Sequence, residues 1–362
     1  MSLRTVPPGF VVSGVFAARR ALHALADLIT PGELVLTEHF SGVMRTKLLG
    51  ACARLGLAEM LDAGPLSSAE IASRSGTNPD VTHRVLRGLV ALRVLDQRRD
   101  GRFATTRLLK KLLPGLPAAT RDFAIYWGSA SNVAAWNDLD RTLSSGEGAF
   151  HRVTGASVWD WFDAHPEERE TFARAMGGLT SMVAPLVAAR YPWSEVKTVC
   201  DVGGGRGMLL SEILLAHPHL SGILYDAQGV IDTAPELLDR RGVGARVQRV
   251  GGSFFTRVPS GADAYMLKNI LHDWNDERSI HVLKNCRAAM RVGQRLVLVD
   301  LILEPDETGV LPTLSDLHMM IVCVDGRERS RADFRRVLEA SGFSLGRVWD
   351  HPMTGIIEGI AI

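Results

Sequence analysis

Four cysteines, Cys52, Cys200, Cys286 and Cys323, are all that this chain of 362 residues contains, and no two form a C-x-x-C pair. That scarcity excludes a disulfide framework and a cysteine-built zinc site, and points to a reducing, cytoplasmic setting. Charge of one sign is missing too. The 41 Lys and Arg against 40 Asp and Glu leave a formal net charge of +1, so no nucleic-acid or membrane partner is expected on electrostatic grounds. No uninterrupted run approaches eighteen apolar residues, and the one modest apolar stretch near the N-terminus lies between Pro7-Pro8-Gly9 and Arg19-Arg20. Neither a spanning helix nor an export signal is expected, and the chain reads as soluble. Internal repeats and low-complexity tracts are absent as well. What is plentiful is apolar residues, 46% of the chain, enough at this length to fill more than one core.

The first half reads as helical. A helix is expected over Val11 to Ile29, closed by Pro31-Gly32, and apolar residues recur at helical spacing from Val35 to Leu57. Ser67 followed by Glu70 marks an N-cap, Gly76 a stop, and Asn78-Pro79-Asp80 the next start, which gives helix, turn, helix. Asp96 to Thr105 then reads as a hairpin around Asp100-Gly101, and the whole as a winged helix. Such a module can read DNA, and arginines stand at Arg84, Arg87, Arg93, Arg98, Arg99 and Arg102. Yet the second helix interleaves its arginines with Val81, Val85, Leu86, Leu89, Val90 and Leu92, the pattern of a packed face with a solvated reverse. A structural or dimerising role is favoured. Residues 117 to 190 read as wholly helical and rich in large side chains, including Trp127, Phe172 and Met176. Core packing accounts for most of these, while a few are candidates to line a pocket for a flat substrate. The expected organisation is an N-terminal arm with the winged helix over residues 1–116, a helical connector over 117–192 and an α/β domain over 193–362.

In that last part strands alternate with helices, the signature of a doubly wound parallel sheet. Seven strands are expected, at 197–202, 221–226, 245–250, 262–268, 294–302, 345–350 and 355–362, the last two as an antiparallel edge hairpin. Asp201-Val202-Gly203-Gly204-Gly205-Arg206-Gly207 lies between the first strand and a helix. Its glycines fall at Gly203, Gly205 and Gly207, whereas the dinucleotide fingerprint wants the last one place later, where Met208 stands. The spacing favours an adenosyl cofactor lacking a pyrophosphate, S-adenosylmethionine foremost, and disfavours a nicotinamide dehydrogenase. Asp226, closing the second strand, stands where such folds hold the ribose hydroxyls.

Ligands of open α/β sheets bind beyond the carboxyl ends of the strands. Gly251-Gly252-Ser253-Phe254-Phe255 follows the third strand, and Lys268-Asn269-Ile270-Leu271-His272-Asp273-Trp274 the fourth. His272, just past a strand end beside a carboxylate and an indole, is the candidate general base. A phenol, with a pKa of about 10, attacks a sulfonium methyl poorly until its proton is removed, and an imidazole near neutrality can remove it. A carboxylate on the other ring nitrogen would fix the tautomer. Glu328, between Arg327 and Arg329, and Asp300, at the end of the fifth strand, are the candidates, each equally readable as a surface or ion-paired acid.

Taken together, residues 66–106, Asp201 to Gly207, Lys268 to Trp274 and Gly326-Arg327-Glu328-Arg329 followed by Phe334 make the chain resemble a known family. It is similar to the S-adenosylmethionine-dependent small-molecule O-methyltransferases of the plant caffeate and flavonoid type, with their acetylserotonin, hydroxyneurosporene and bacterial polyketide-tailoring relatives. The likeness covers nearly the whole chain. It implies a Rossmann-like class I methyltransferase sheet, S-adenosylmethionine as methyl donor with S-adenosylhomocysteine as product, and no metal. It also implies a homodimer whose N-terminal domain interlocks with its partner instead of binding DNA. His272 would be the base and Glu328 and Asp300 the flanking acids. Gly203, Gly205, Asp226, Lys268, Trp274 and the turn carrying Ser253 and Phe254 would contact the cofactor, with Met176 and Thr180 near its sulfonium end.

Two departures from the family's pattern stand out. Where many members carry an acid after the third strand, this chain has Ser253, which can offer the adenine amino group only an uncharged hydrogen bond. Ala227 follows Asp226 in place of a larger aliphatic residue. Near Glu328, Met319, Met320 and Cys323 suggest an apolar, adaptable pocket for a flat ring. The acceptor expected is a phenol or enol of a small aromatic or polyketide-like metabolite. N-, C- or carboxylate methylation, and a ligand-responsive DNA regulator, remain as alternatives.

Overall fold

The computed structural model describes residues 7–306 and 309–362. Its backbone contacts divide the chain into two compact units, Val15–Ala134 with Phe162–Leu179, and Met1–Gly14, Ala135–Trp161 and Thr180–Ile362.

The first unit contains the winged helix. Ser67 caps the helix Ser68–Ser75 by accepting the Glu70 N–H (3.2 Å), and Glu70 accepts the Ser67 N–H in return (2.7 Å). Asn78 caps Pro79–Ala91 through the Val81 N–H, and the strands β1 (Leu95–Gln97) and β2 (Phe103–Thr105) pair antiparallel around Gly101. Leu57, Leu61, Ile71, Leu86, Leu89, Phe103 and Leu109 form its core. Val81 departs from the expected apolar face. It sits in the first turn of its helix, before that face meets the core, and is 53% exposed. Of the arginine set, Arg102 forms an ion pair with Glu70 at 2.8 Å. N-terminal to this module, the helices Gly9–Ile29 and Gly32–Phe40 bury no residue at all.

In the second unit lies a seven-stranded sheet: β3 (Thr198–Val202), β4 (Ser221–Asp226), β5 (Val247–Gly251), β6 (Ala264–Lys268), β7 (Arg295–Asp300), β8 (Phe343–Trp349) and β9 (Gly355–Ala361). Their order is β5-β4-β3-β6-β7-β9-β8, parallel except that β9 runs antiparallel to both its neighbours. The expected terminal hairpin is present, with β9 inserted beside β7 and β8 at the edge. β5 starts two residues later than expected because Gly244–Arg246 form a helical turn, and β8 starts two earlier.

Both faces of the sheet are covered, as a largely parallel sheet requires. Val199, Leu224, Met266, Val297 and Val299 pack on one side with Leu210 and Ile213, while Cys200, Val202, Tyr225, Leu267, Leu296 and Leu298 pack on the other with Val282, Leu283 and Phe334. The period of two in β3 and β7 sorts neighbouring residues between the two cores. All four cysteines are buried free thiols. One helix, Pro166–Arg190, is long and apolar enough to cross a membrane by length and composition. Counting uninterrupted runs passes over it, because Gly177, Gly178, Thr180 and Ser181 punctuate it; Val183, Ala184, Leu186, Val187 and Ala188 are buried in the protein.

Candidate active site

The glycine loop turns directly off β3. The N–H of Gly203 donates to the Tyr225 carbonyl (2.8 Å), which ties the loop to the end of β4. Asp226 then holds the loop from the side: its Oδ2 accepts the Gly205 N–H (2.8 Å) and its Oδ1 the Ala227 N–H (2.7 Å). Gly205 has φ +58°, and a Cβ built on it would meet nothing within 4 Å. A glycine with no internal neighbour to avoid leaves room for something approaching from outside. Each Asp226 oxygen keeps a second lone pair for such a group. The loop and its acid therefore fit an adenosyl cofactor.

A chain of close backbone contacts places His272. The turn Leu271–Asp273 follows β6, and the Arg327 N–H donates to the His272 carbonyl at 2.8 Å. Gly326 makes this approach possible. A Cβ there would come within 2.6 Å of Cys323 Cβ, 2.9 Å of the Met319 carbonyl oxygen and 3.0 Å of the His272 carbonyl oxygen. Arg329 locks the turn from behind. Its buried guanidinium donates to the carbonyls of Leu271 (2.6 Å) and Trp274 (2.8 Å), to the Ser279 hydroxyl and to Asp276. With both segments pinned, Glu328 lies against the imidazole, its Oε1 3.0 Å from Nδ1. Ser315 donates to the same Oε1 (2.7 Å), and Asp316 accepts the Glu328 N–H (2.8 Å).

Glu328 is thus no surface acid wedged between arginines. It is 4% exposed and pairs with His272, whereas Arg327 points to solvent and Arg329 inward. Asp273 Oδ1 lies 3.6 Å from the other ring nitrogen, Nε2. Burial alone would lower the His272 pKa, but Glu328, Asp273 and Asp300 outweigh it and push the value up to about 9. Burial works against Glu328 as well, yet His272, Ser315 and Arg329 hold its carboxyl below the ordinary range.

Around this pair stands a larger set of buried charges. Asp300, at the end of β7, has no hydrogen-bond partner on either oxygen, and burial pushes its pKa up to about 7. The hydrogen bond to the histidine ring belongs to Glu328, and Asp300 reaches His272 through space. Lys268 donates to Asn269 Oδ1 (2.9 Å), and burial pulls its pKa down to about 8 against the opposing pull of Asp300, Asp201, Glu328 and Asp273. Asp201, beneath the glycine loop, carries one buried unpartnered oxygen and is pushed up to about 7 by burial and by Asp226.

The remaining candidates divide between the two units. Trp274 packs edge-on against Phe255 (4.9 Å) and lies beneath the Arg278 guanidinium (4.3 Å), and Phe254 meets Phe255 at a tilt of 51° with centroids 5.0 Å apart. Ser253 is exposed, and its hydroxyl accepts the Phe255 N–H at 3.3 Å, so the turn already engages it. Met319 and Cys323 flank the Gly326 contact, Cys323 Sγ lies 3.5 Å from Asp273 Oδ1, and half-buried Met320 lines a cleft of about 540 Å³ with Asp316, Arg327 and Glu328. Thr180 begins the last stretch of this unit, whereas Trp127, Phe172 and Met176 belong to the winged-helix unit. There Phe172 stacks on Phe162 (4.7 Å) and Trp127 meets Phe123 edge-on (5.7 Å). Sequence reasoning missed Ser315, Asp316, His318 and the clamp role of Arg329. Only Arg329 left a signal, its place one residue after Glu328.

Fold and site define a class I methyltransferase, in which S-adenosylmethionine supplies an electrophilic methyl group on a sulfonium sulfur. Residues 136–344 match the O-methyltransferase domain and residues 37–115 the O-methyltransferase dimerisation domain. The chain belongs to this family of S-adenosylmethionine-dependent O-methyltransferases. It is 37% identical over 318 residues to the phenazine O-methyltransferase of Lysobacter antibioticus, covering 88% of this chain and 93% of that one. A phenazine-1-carboxylate N-methyltransferase of Pseudomonas aeruginosa is 30% identical, over 88% and 94% of the two chains. Among solved structures, an O-methyltransferase from neocarzinostatin biosynthesis, in complex with S-adenosylmethionine and 2-hydroxy-5-methyl naphthoic acid, superposes with a TM-score of 0.78 at 28% identity. That match covers 88% of this chain and 96% of the other.

Proposed function

We propose that this protein methylates a phenol or enol hydroxyl of a small aromatic or polyketide-like metabolite, with His272 as general base, without a metal, and as a homodimer. The observation that carries the reading is the buried His272–Glu328 pair at 3.0 Å. Glu328 accepts from Nδ1–H, so the neutral tautomer leaves the Nε2 lone pair to take the acceptor's proton. The resulting imidazolium sits between two carboxylates, Glu328 and Asp273. Lys268 and Asp300 set the surrounding charge, and Gly205 with Asp226 offers the surface for the adenosyl group. Metal independence belongs to this reading as its own expectation, which the chelator in the test below addresses. Dimerisation is supported by the match over residues 37–115 and by the apolar side chains that the N-terminal helices leave exposed.

The test is methyl transfer from S-adenosylmethionine to a phenol panel in the presence of EDTA, read as a mass gain of one methyl group. His272→Ala should lower turnover by a factor on the order of 10² to 10⁴ while cofactor binding, measured by calorimetry, is kept. Unchanged turnover in that variant would remove His272 from the role. The N-methyltransferase relative supports a second reading, an amine acceptor, which matched aryl amines in the same panel would reveal.

A further inference from the structure

Four neighbouring strands of the sheet each carry a charged side chain at or next to the carboxyl end. In the order β4, β3, β6, β7 these are Asp226, Asp201, Lys268 and Asp300, and the turn after β6 adds His272 and Asp273. Asp201, Asp273, Asp300 and Glu328 are buried, while Arg329 is committed to Asp276 and to backbone carbonyls. Asp300 has no hydrogen-bond partner on either oxygen, and Asp201 has none on Oδ2. Carboxylates so withdrawn and so little answered leave the site short of positive charge.

His272 makes up that deficit in the free protein. Glu328 at 3.0 Å and Asp273 at 3.6 Å hold its two nitrogens, Asp300 acts through space, and against burial they raise it to about 9, so the ring is protonated at neutral pH. Ser315 and Asp316 are spent on Glu328, and His318 on the same helix is kept neutral by burial and by the charge of His272. A protonated ring cannot take the acceptor's proton. The methyl donor, however, brings a charge of its own. Nε2 bonds the acceptor oxygen at about 3 Å, and that oxygen attacks a methyl carbon about 3–3.5 Å away, so the sulfonium sulfur stands within about 8 Å of the ring. Two unit charges about 7 Å apart, at an effective dielectric near 20, disfavour each other by a factor on the order of 10 to 10².

We propose that His272 holds a proton in the free protein and releases it to solvent when S-adenosylmethionine binds, so that the sulfonium itself frees the base. This rests on the methyltransferase reading above. The free protein then holds the imidazolium, and the donor complex holds the sulfonium in its place. The imidazolium returns once the acceptor's proton has passed to Nε2, its oxygen has bonded the methyl carbon and the C–S electron pair has gone to sulfur. The buried carboxylates face one mobile positive charge at every stage. S-adenosylhomocysteine, which lacks the sulfonium charge, leaves the proton in place.

The test follows His272 by nuclear magnetic resonance, through the pH titration of its ring Cε1–H signal in protein with isotope-labelled histidine. The signal is assigned as the one lost in His272→Gln; should that variant fail to fold, Glu328→Gln identifies it by moving its titration in the free protein to lower pH. The free protein and the S-adenosylhomocysteine complex should titrate together near 9. The S-adenosylmethionine complex should titrate about one to two pH units lower. Sinefungin, which carries an ammonium group in place of the methylsulfonium, separates charge from the added methyl and should act as S-adenosylmethionine does. In kinetics the bend near 9 belongs to kcat/KM for the cofactor, which reports the free protein, and kcat should bend at lower pH. Equal titration in the two sulfur-compound complexes, or a shift that sinefungin does not reproduce, would overturn the proposal and leave the methyltransferase reading standing. Failure of both S-adenosylmethionine and S-adenosylhomocysteine to bind would overturn both.

Discussion

Beyond the ends of β6 and β7, charged side chains lie buried and largely answered by one another; along the N-terminal helices, large apolar side chains lie exposed and no described residue is buried. His272, Glu328, Lys268, Asp273 and Asp300 are all withdrawn from water, and their pKa values are displaced accordingly. Leu28 and Ile29 are 82% and 80% exposed, and Leu22 and Leu25 are little better covered. Both arrangements carry a cost that folding alone does not remove. A buried charge is tolerated when it is paired or serves chemistry, and a long exposed apolar stripe is tolerated when another surface covers it. On the function proposed above, the first region serves the reaction and the second a partner.

That contrast can be broken at its inner end most severely through the glycine loop. Gly205→Val would place a side chain in the open space before the loop and force a β-branched residue into left-handed backbone, a strain of about 1–3 kcal/mol. S-adenosylmethionine binding should be lost in calorimetry, and unchanged affinity would show that the cofactor sits elsewhere. Glu328→Gln keeps the shape and removes the charge. Turnover should fall by a factor on the order of 10² or more, by analogy with neutralising the acid of a catalytic triad, while cofactor binding remains.

The same variant sharpens the electrostatics. In the wild type the base must be unprotonated, so kcat/KM should rise about tenfold per pH unit toward about 9 and level off above it. Without the Glu328 carboxylate the imidazolium loses its largest opposing support, and the bend in the profile should move to lower pH. A profile that is flat between pH 6 and 9 would separate the titration of His272 from the rate.

At the outer end, Leu22→Glu with Leu25→Glu should weaken self-association by about tenfold or more in sedimentation experiments and leave the fold intact, since neither residue is buried within the chain. An unaltered dimer would move the interface off this helix. The smallest effect is expected at Ser253→Asp, which restores the acid common in the family. Cofactor affinity should rise a few-fold, the scale of making one exposed hydrogen bond charge-assisted, and no change would mean that the hydroxyl's bond to Phe255 reflects a turn facing away from the adenine.

Much of this protein was legible before any coordinates. Strand-length runs punctuated by glycine located all seven strands of the sheet; the central ones stand out because residues buried on both faces must be apolar whatever packs on them, whereas the edge strand β5 has no buried residue. Capping residues Ser67 and Asn78 located the winged helix because their side chains bond backbone only three residues away. The glycine spacing from Gly203 to Gly207 separated one cofactor class from another, since it reports local backbone shape. Such inferences concern neighbours in the chain, and local sequence is sufficient for them.

What only the tertiary structure decided is which distant groups meet. Glu328 and Asp300 were equal candidates in the sequence. The choice fell to Glu328 because Gly326 lets one segment lie against the His272 backbone and Arg329 clamps the other, a contact spanning 56 residues. Ser315, Asp316 and His318 carried no signal, being ordinary polar residues on an apolar helix whose inward face depends on what it packs against. The charge state of His272 belongs to the same category, because it is the sum of burial and three carboxylates that adjoin only once the sheet has formed.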